Sequence, residues 1–231
     1  MPERNIPLDW NQIDTVLLDM DGTLLDLHFD HYFWVTHLPK RYAEFHNIEL
    51  SEAEQILTTW ITSYQGTLQW YCLDHWSELI GMNISELKRE VRHNIALRPH
   101  AEAFLRFLRQ EKKKVILATN CHRSALELKL SVSQIDRWLD IVISSHDYQQ
   151  PKEVQAFWQQ MHKAEPFSLA RTLFVDDNTQ VLHSAKEFGI QHLVCINQPN
   201  SKFPAKKSKE FIDIVDFDEI MPQSSTLANE S

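Results

Sequence analysis

Short runs of consecutive apolar residues, each cut off by polar ones, recur along this chain. Thr15-Val16-Leu17-Leu18 halts at Asp19-Met20-Asp21-Gly22-Thr23, and residues 115–118 halt at Thr119-Asn120. Residues 141–143 halt at Ser144-Ser145, residues 173–175 at Asp176-Asp177-Asn178, and residues 193–196 form a fifth run. Apolar runs this short, continuous rather than alternating, predict strands buried on both faces. Helical spacing fills the intervals at about residues 101–109, 124–130, 153–162 and 180–188. The alternation predicts an α/β fold: a parallel, Rossmann-like sheet with helices on both faces. Ligands of such sheets bind beyond the carboxyl ends of the strands. Those are the ends that carry the polar residues.

Residues 27–98 read differently. They are rich in aromatics, carry no strand pattern, and repeat at helical spacing in Ile56, Trp60, Tyr64 and again in Leu68, Tyr71, His75. This predicts a helical unit inserted after the first strand, with the α/β core made of residues 1–26 and 99–220. Ser51-Glu52-Ala53-Glu54 has the form of a capping box opening one of its helices. Residues 221–231 are polar and expected to fray.

Composition narrows the function. Of 231 residues, 43% are hydrophobic, which suffices for a large core. A net charge of -9 argues against a general nucleic-acid binder, which needs a basic face. Residues 1–9 lack a basic region and an apolar run, and no stretch approaches the roughly 20 apolar residues of a membrane span. Cys72, Cys121 and Cys195 are widely spaced, consistent with a reducing compartment. A soluble cytoplasmic protein with no membrane partner is expected.

The candidate chemistry lies at two strand ends. Asp19 and Asp21, one residue apart, supply one carboxylate for attack and one for proton transfer, but like charges this close repel unless a cation sits between them. A second doublet, Asp176-Asp177, ends another buried strand. Four carboxylates at one sheet edge predict a cation among them, and a bound Mg²⁺ would relieve the repulsion and neutralise an incoming phosphate.

Asp19-Met20-Asp21-Gly22-Thr23, Thr119-Asn120, Lys152 and Asp176-Asp177 together resemble the four ordered motifs of the haloacid dehalogenase superfamily. The resemblance implies that Asp19 is the nucleophile that becomes phosphorylated and that Asp21 is the acid and base. Thr119 and Asn120 would bind substrate, and Lys152 would neutralise the phosphoryl group. Mg²⁺ would be held by Asp19, the backbone carbonyl of Asp21, and Asp177 or Asp176. Dehalogenases lack an acid at the position of Asp21, since halide leaves without a proton, so a phosphatase or phosphomutase is implied. The helical insert lies where the superfamily carries a cap. The wider runs, residues 15–34 with Trp70-Tyr71-Cys72-Leu73-Asp74 and Trp76-Ser77-Glu78, resemble bacterial purine nucleotidases that hydrolyse GMP and IMP. This implies a purine nucleotide, a small phosphate monoester, as substrate. A sugar phosphatase or mutase of the superfamily is the alternative. A phospho-receiver module shares the acidic pocket but not the length, the insert or Asp21.

Other residues read more plainly. Trp60, Trp70, Tyr71 and Trp76 read as packing of the insert rather than base-stacking platforms, and Cys121 as a packed side chain. Lys112-Lys113-Lys114 reads as a solvated turn. His28 and His31, among twelve scattered histidines, show no ligand spacing, so no second metal is expected. His122, Arg123, His28 and Phe29 are further candidates for substrate contact.

Overall fold

Six strands form one parallel sheet in the computed structural model, which describes residues 8–222. In chain order they are β1 (Thr15–Leu18), β2 (Lys114–Thr119), β3 (Ile141–Ser144), β4 (Thr172–Asp176), β5 (His192–Ile196) and β6 (Ile212–Ile214). Their spatial order is β3-β2-β1-β4-β5-β6. The chain therefore builds one way from β1 to β3, then crosses back to lay β4 on the other side of β1. That reversal opens a crevice between the carboxyl ends of β1 and β4, where open α/β sheets bind ligands. Every residue of β1 and β4 is buried. Val16 and Leu18 face one apolar cluster while Leu17 faces the other, as the period of two dictates. The edge strand β6 was not expected: Ile212 and Ile214 are separated by Asp213, and three residues are too few to stand out as a run.

The helices of the insert are α1 (His28–Tyr32), α2 (Leu38–His46), α3 (Leu50–Tyr64), α4 (Leu68–Tyr71), α5 (Leu73–Ile80) and α6 (Ile84–Glu90). The core helices are α7 (Ala101–Gln110), α8 (Arg123–Ser133), α9 (Gln155–Ala164) and α10 (Thr179–Phe188). Phe104, Leu105 and Leu108 of α7 and Leu126 of α8 pack on one sheet face. Phe157, Trp158 and Met161 of α9 and Val181, Leu182 and Ala185 of α10 pack on the other. The first cluster runs unbroken into the insert through Phe29, Phe33, Leu38 and Trp76.

Local details depart from expectation for identifiable reasons. No capping box forms at Ser51: α3 starts at Leu50 behind an extended Glu49 that makes no side-chain cap. Helix α9 starts at Gln155 rather than 153, because Val154 is extended and the two residues before it are drawn into the site. Lys113 is not simply solvated. Its Nζ donates to the carbonyls of Trp10 and Ile13, at 2.6 and 2.7 Å, and ties the chain start to the sheet. Residues 223–231 of the expected tail lie outside the described residues.

Candidate active site

Asp19 continues β1 by one residue: its N–H donates to the carbonyl of Val175 at 3.0 Å, so its side chain emerges beside the end of β4. The chain then turns sharply. Gly22 has φ +93°, and its N–H donates to the Leu25 carbonyl at 2.8 Å. A Cβ on Gly22 would lie 2.6 Å from Asp177 Oδ2 and 2.9 Å from Pro199 Cβ. Both the positive φ and this close approach exclude any larger residue. The glycine is what lets the nucleophile loop lie against the second acidic doublet.

Carboxylate oxygens of Asp19, Asp176 and Asp177 all lie within 4.8 Å of one another. Lys152 stands among them, fully buried, with Nζ 2.6 Å from Asp19 Oδ1 and 2.7 Å from Asp176 Oδ2. Burial alone would lower the Lys152 pKa, but Asp176 and Asp19 outweigh it and hold the ammonium charged. One cation cannot satisfy three carboxylates. Burial, helped by Asp19, pushes Asp176 up to about 7 against the pull of Lys152. Burial and then the charges of Asp176 and Asp19 push Asp177 well above the carboxylate range. Asp176 accepts from Lys152 on one oxygen and from the N–H of Asn178 on the other. The Asp177 carboxylate takes no hydrogen bond from another residue among the described residues. Helix α10 is capped by Asn178, whose side chain accepts from the Gln180 N–H, so Asp177 is not spent as a cap. Three hard oxygen donors carrying excess negative charge form a set that suits Mg²⁺.

The second strand end supports Lys152. Asn120 Oδ1 accepts from the Lys152 N–H at 2.9 Å, and Asn120 Nδ2 donates to Glu153 Oε2 at 2.9 Å. The same Glu153 accepts from Tyr71 Oη at 2.7 Å, linking the insert to the core. Thr119 Oγ1 accepts from the Cys121 N–H at 3.0 Å, beside Asp19 in the same cavity. Asn120 thus orients Lys152 in addition to facing the cavity.

Asp21 meets a partner the sequence did not point out. Lys129 of α8, fully buried, pairs with Asp21 Oδ1 at 2.7 Å and with Asp30 Oδ2 at 2.7 Å. Asp30 in turn pairs with Lys88 of α6 at 2.6 Å. Charges alternate from the core to the insert: Asp21, Lys129, Asp30, Lys88. Burial pushes Asp21 up to about 6, with Lys129 pulling the other way. Burial would raise Asp30 too, but two lysines hold it well below the usual carboxylate range. A signal was present. Lys129 shares a helical stripe with Ala125 and Leu126, and Lys88 one with Ile84, Leu87 and Val91. A lysine on an apolar stripe is either misplaced or paired.

These groups line a cavity of about 410 Å³ that also receives Trp34, Trp70 and Tyr71. Its size falls in the range of small-ligand sites. Trp70, Tyr71 and Trp76 all line the cavity, Trp76 while almost wholly buried in the insert's packing. Phe29 is no substrate contact: it is buried, with Lys88 and Lys129 Nζ 5.0 and 5.4 Å from its ring centre. Arg123 is held away by Asp147, its Nε 2.8 Å from Oδ1.

A sequence profile of haloacid dehalogenase-like hydrolases matches residues 16–195. The chain belongs to this family. Among members of known activity, it is 36% identical to the GMP/IMP nucleotidase YrfG of Escherichia coli (strain K12) over 218 residues. That match covers 94% of this chain and 98% of the relative, and the same figures hold for YrfG of Shigella flexneri. Solved structures of the family share the fold. A HAD phosphatase from Thermococcus onnurineus superposes with TM-score 0.75 at 19% identity, covering 87% of this chain and 93% of its own. The HAD-hydrolase YfnB of Bacillus subtilis, determined bound to magnesium, gives 0.60 at 19% identity, covering 87% and 94%. The L-2-haloacid dehalogenase of Xanthobacter autotrophicus gives 0.56 at 17%, covering 82% and 80%. Fold alone does not separate these chemistries. The family and the nucleotidase relatives make this chain a HAD phosphatase.

Proposed function

We propose that this HAD phosphatase is Mg²⁺-dependent and hydrolyses purine nucleoside 5′-monophosphates, GMP and IMP, through a phosphoryl group carried on Asp19. The observation that carries the reading is the meeting of Asp19, Asp176, Asp177 and Lys152 in the crevice between β1 and β4. The substrate class rests on the likeness to GMP/IMP nucleotidases across 94% of the chain. A cavity of about 410 Å³ with aromatic faces at Trp70 and Tyr71 is compatible with a purine.

The residues divide the work as follows. An Asp19 oxygen attacks phosphorus while Lys152 neutralises charge on both. Thr119 and nearby backbone N–H groups hold phosphate oxygens. Asp21, which burial pushes up to about 6 so that a protonated fraction persists toward neutral pH, gives its proton to the departing ribose 5′ oxygen. It then takes one from the water that hydrolyses the phosphoryl-Asp19. Asp19, the Asp21 carbonyl and Asp177 would hold Mg²⁺, with Asp176 supporting them. When bound, the ion balances the carboxylates and the incoming phosphate. Residues 27–98 serve as the cap over a core of residues 1–26 and 99–220, closing the cavity against water. Three cysteines without disulfides suit a cytoplasmic setting.

A panel of phosphate monoesters with Mg²⁺ tests the substrate. GMP and IMP should turn over at least tenfold faster, by kcat/KM, than sugar phosphates. The reverse order would favour the sugar-phosphatase reading.

Lys129 is assigned as the residue that positions Asp21. Lys129→Met should lower kcat/KM for nucleotides by about 100-fold, the size of a general-acid contribution. An aryl phosphate with a good leaving group needs no proton and should lose under about threefold on the same reasoning. Equal losses on both substrates would assign Lys129 to general electrostatics or folding instead.

A further inference from the structure

Beside the active cavity, at the seam between the helical insert and the core, three soft-ligand side chains converge from distant parts of the chain. Cys72 lies between α4 and α5, His122 just before α8, and His146 just after β3. One ligand atom from each lies within 4.8 Å of the other two. The phosphoryl-transfer chemistry assigned above uses none of the three.

Each is held as a metal ligand would be. Cys72 Sγ accepts from the His75 N–H at 3.5 Å at the start of α5, so a backbone dipole faces the sulfur. His122 Nδ1 is occupied by Ser124 Oγ at 2.9 Å, which leaves Nε2 as the outward nitrogen. That Nε2 is 3.5 Å from Asp74 Oδ2, a carboxylate of the same α5 turn as Cys72. His146 Nε2 is buried without a hydrogen-bond partner. The two imidazoles meet edge to face, with ring centres 4.8 Å apart. Anchoring one ring nitrogen while the other faces the ion is the usual support for a histidine ligand.

We propose that Cys72, His122 and His146, with Asp74 as the fourth donor, form a binding site for a soft divalent cation of the Zn²⁺ class. Tetrahedral Zn²⁺, at about 2.3 Å from sulfur and 2.0 Å from nitrogen, spaces its ligand atoms by roughly 3.5 Å. For Cys72, His122 and His146, whose ligand atoms lie within 4.8 Å of one another, this requires closure by little more than an ångström, and Asp74 stands 3.5 Å from His122 Nε2. The site differs in kind from the all-oxygen set of Asp19, Asp176 and Asp177, so thiolate and imidazole select zinc where carboxylates select magnesium. Cys72 and Asp74 come from the insert, while His122 and His146 come from the core. A bound ion therefore ties the two together next to Tyr71 and Asn120, where the insert already reaches Glu153.

Co²⁺, the coloured stand-in for Zn²⁺, provides the test on the full chain kept reduced without thiols. One equivalent should produce a thiolate-to-cobalt charge-transfer band and tetrahedral visible bands, both abolished by Zn²⁺. Cys72→Ser should remove the charge-transfer band, and His146→Ala should weaken Co²⁺ binding roughly tenfold or more, with unchanged circular dichroism. Zn²⁺ should also slow alkylation of Cys72 at least tenfold, read by peptide mass spectrometry apart from Cys121 and Cys195. Cobalt held by the acidic cluster gives no thiolate band and cannot imitate the result. A folded chain showing no such band, or a band that survives Cys72→Ser, overturns the proposal.

Discussion

Asp19→Asn should lower kcat by at least three decades, equivalent to roughly 4 kcal/mol of barrier, while the protein stays folded. The amide keeps the shape of the carboxylate but offers no nucleophilic oxygen to phosphorus. The fold should survive because Lys152 keeps Asp176 at 2.7 Å and so retains one buried counter-charge. Removing Lys152 itself would be a poorer test. It would strip Asp19 and Asp176 of their shared cation and confuse instability with lost chemistry. Turnover by Asp19→Asn protein, verified by mass as free of deamidation, would falsify the nucleophile assignment.

Removing Mg²⁺ with a chelator should silence the enzyme, and adding it back should restore turnover; full activity in EDTA would remove the ion from the reaction. The same carboxylates make a prediction about stability. Without metal, the folded Asp176 holds its proton up to about pH 7, against 3.8 for its ordinary value. Asp21 does so up to about 6. Between about pH 4 and 7 the folded chain therefore binds more protons than the unfolded chain, and stability falls as pH rises through this window. Mg²⁺ takes the place of the protons on the Asp176 and Asp177 carboxyls, so it should stabilise most above pH 7 and least near pH 5. At a hundredfold excess over Kd the gain is about 2.7 kcal/mol, or roughly 5–10 °C in Tm for a chain of this size. Thermal melts at pH 5 and pH 8, with and without Mg²⁺, read this directly. An equal shift at both pH values would mean that the ion is not competing with protons on these groups.

What could be read before any coordinates were known is the part governed by local pattern. The five longer strands are continuous apolar runs, and a buried parallel strand needs little else to be recognised. Their polar ends mark the site because side chains placed just beyond a strand have nowhere to go but the sheet edge. Asp19, Asp21, Thr119, Asp176 and Asp177 stand out for that reason, whereas Lys152, in the connection between β3 and α9, is picked out only by resemblance to the family's ordered motifs.

Only the tertiary structure decided the rest, and in each case the cause is a contact between segments far apart in the chain. Lys88 and Lys129 sit on apolar helical stripes, but only the packing of α6 and α8 shows their shared partner, Asp30, which lies 58 and 99 residues away in sequence respectively. Gly22 is an ordinary turn glycine until Asp177 is laid 2.6 Å from its missing Cβ. Cys72, His122 and His146 carry no ligand spacing because three separate elements bring them together. Periodicity along a chain reports which face of an element is buried, whereas charge pairing and metal ligation depend on which element lies opposite, and that is a property of the packed whole.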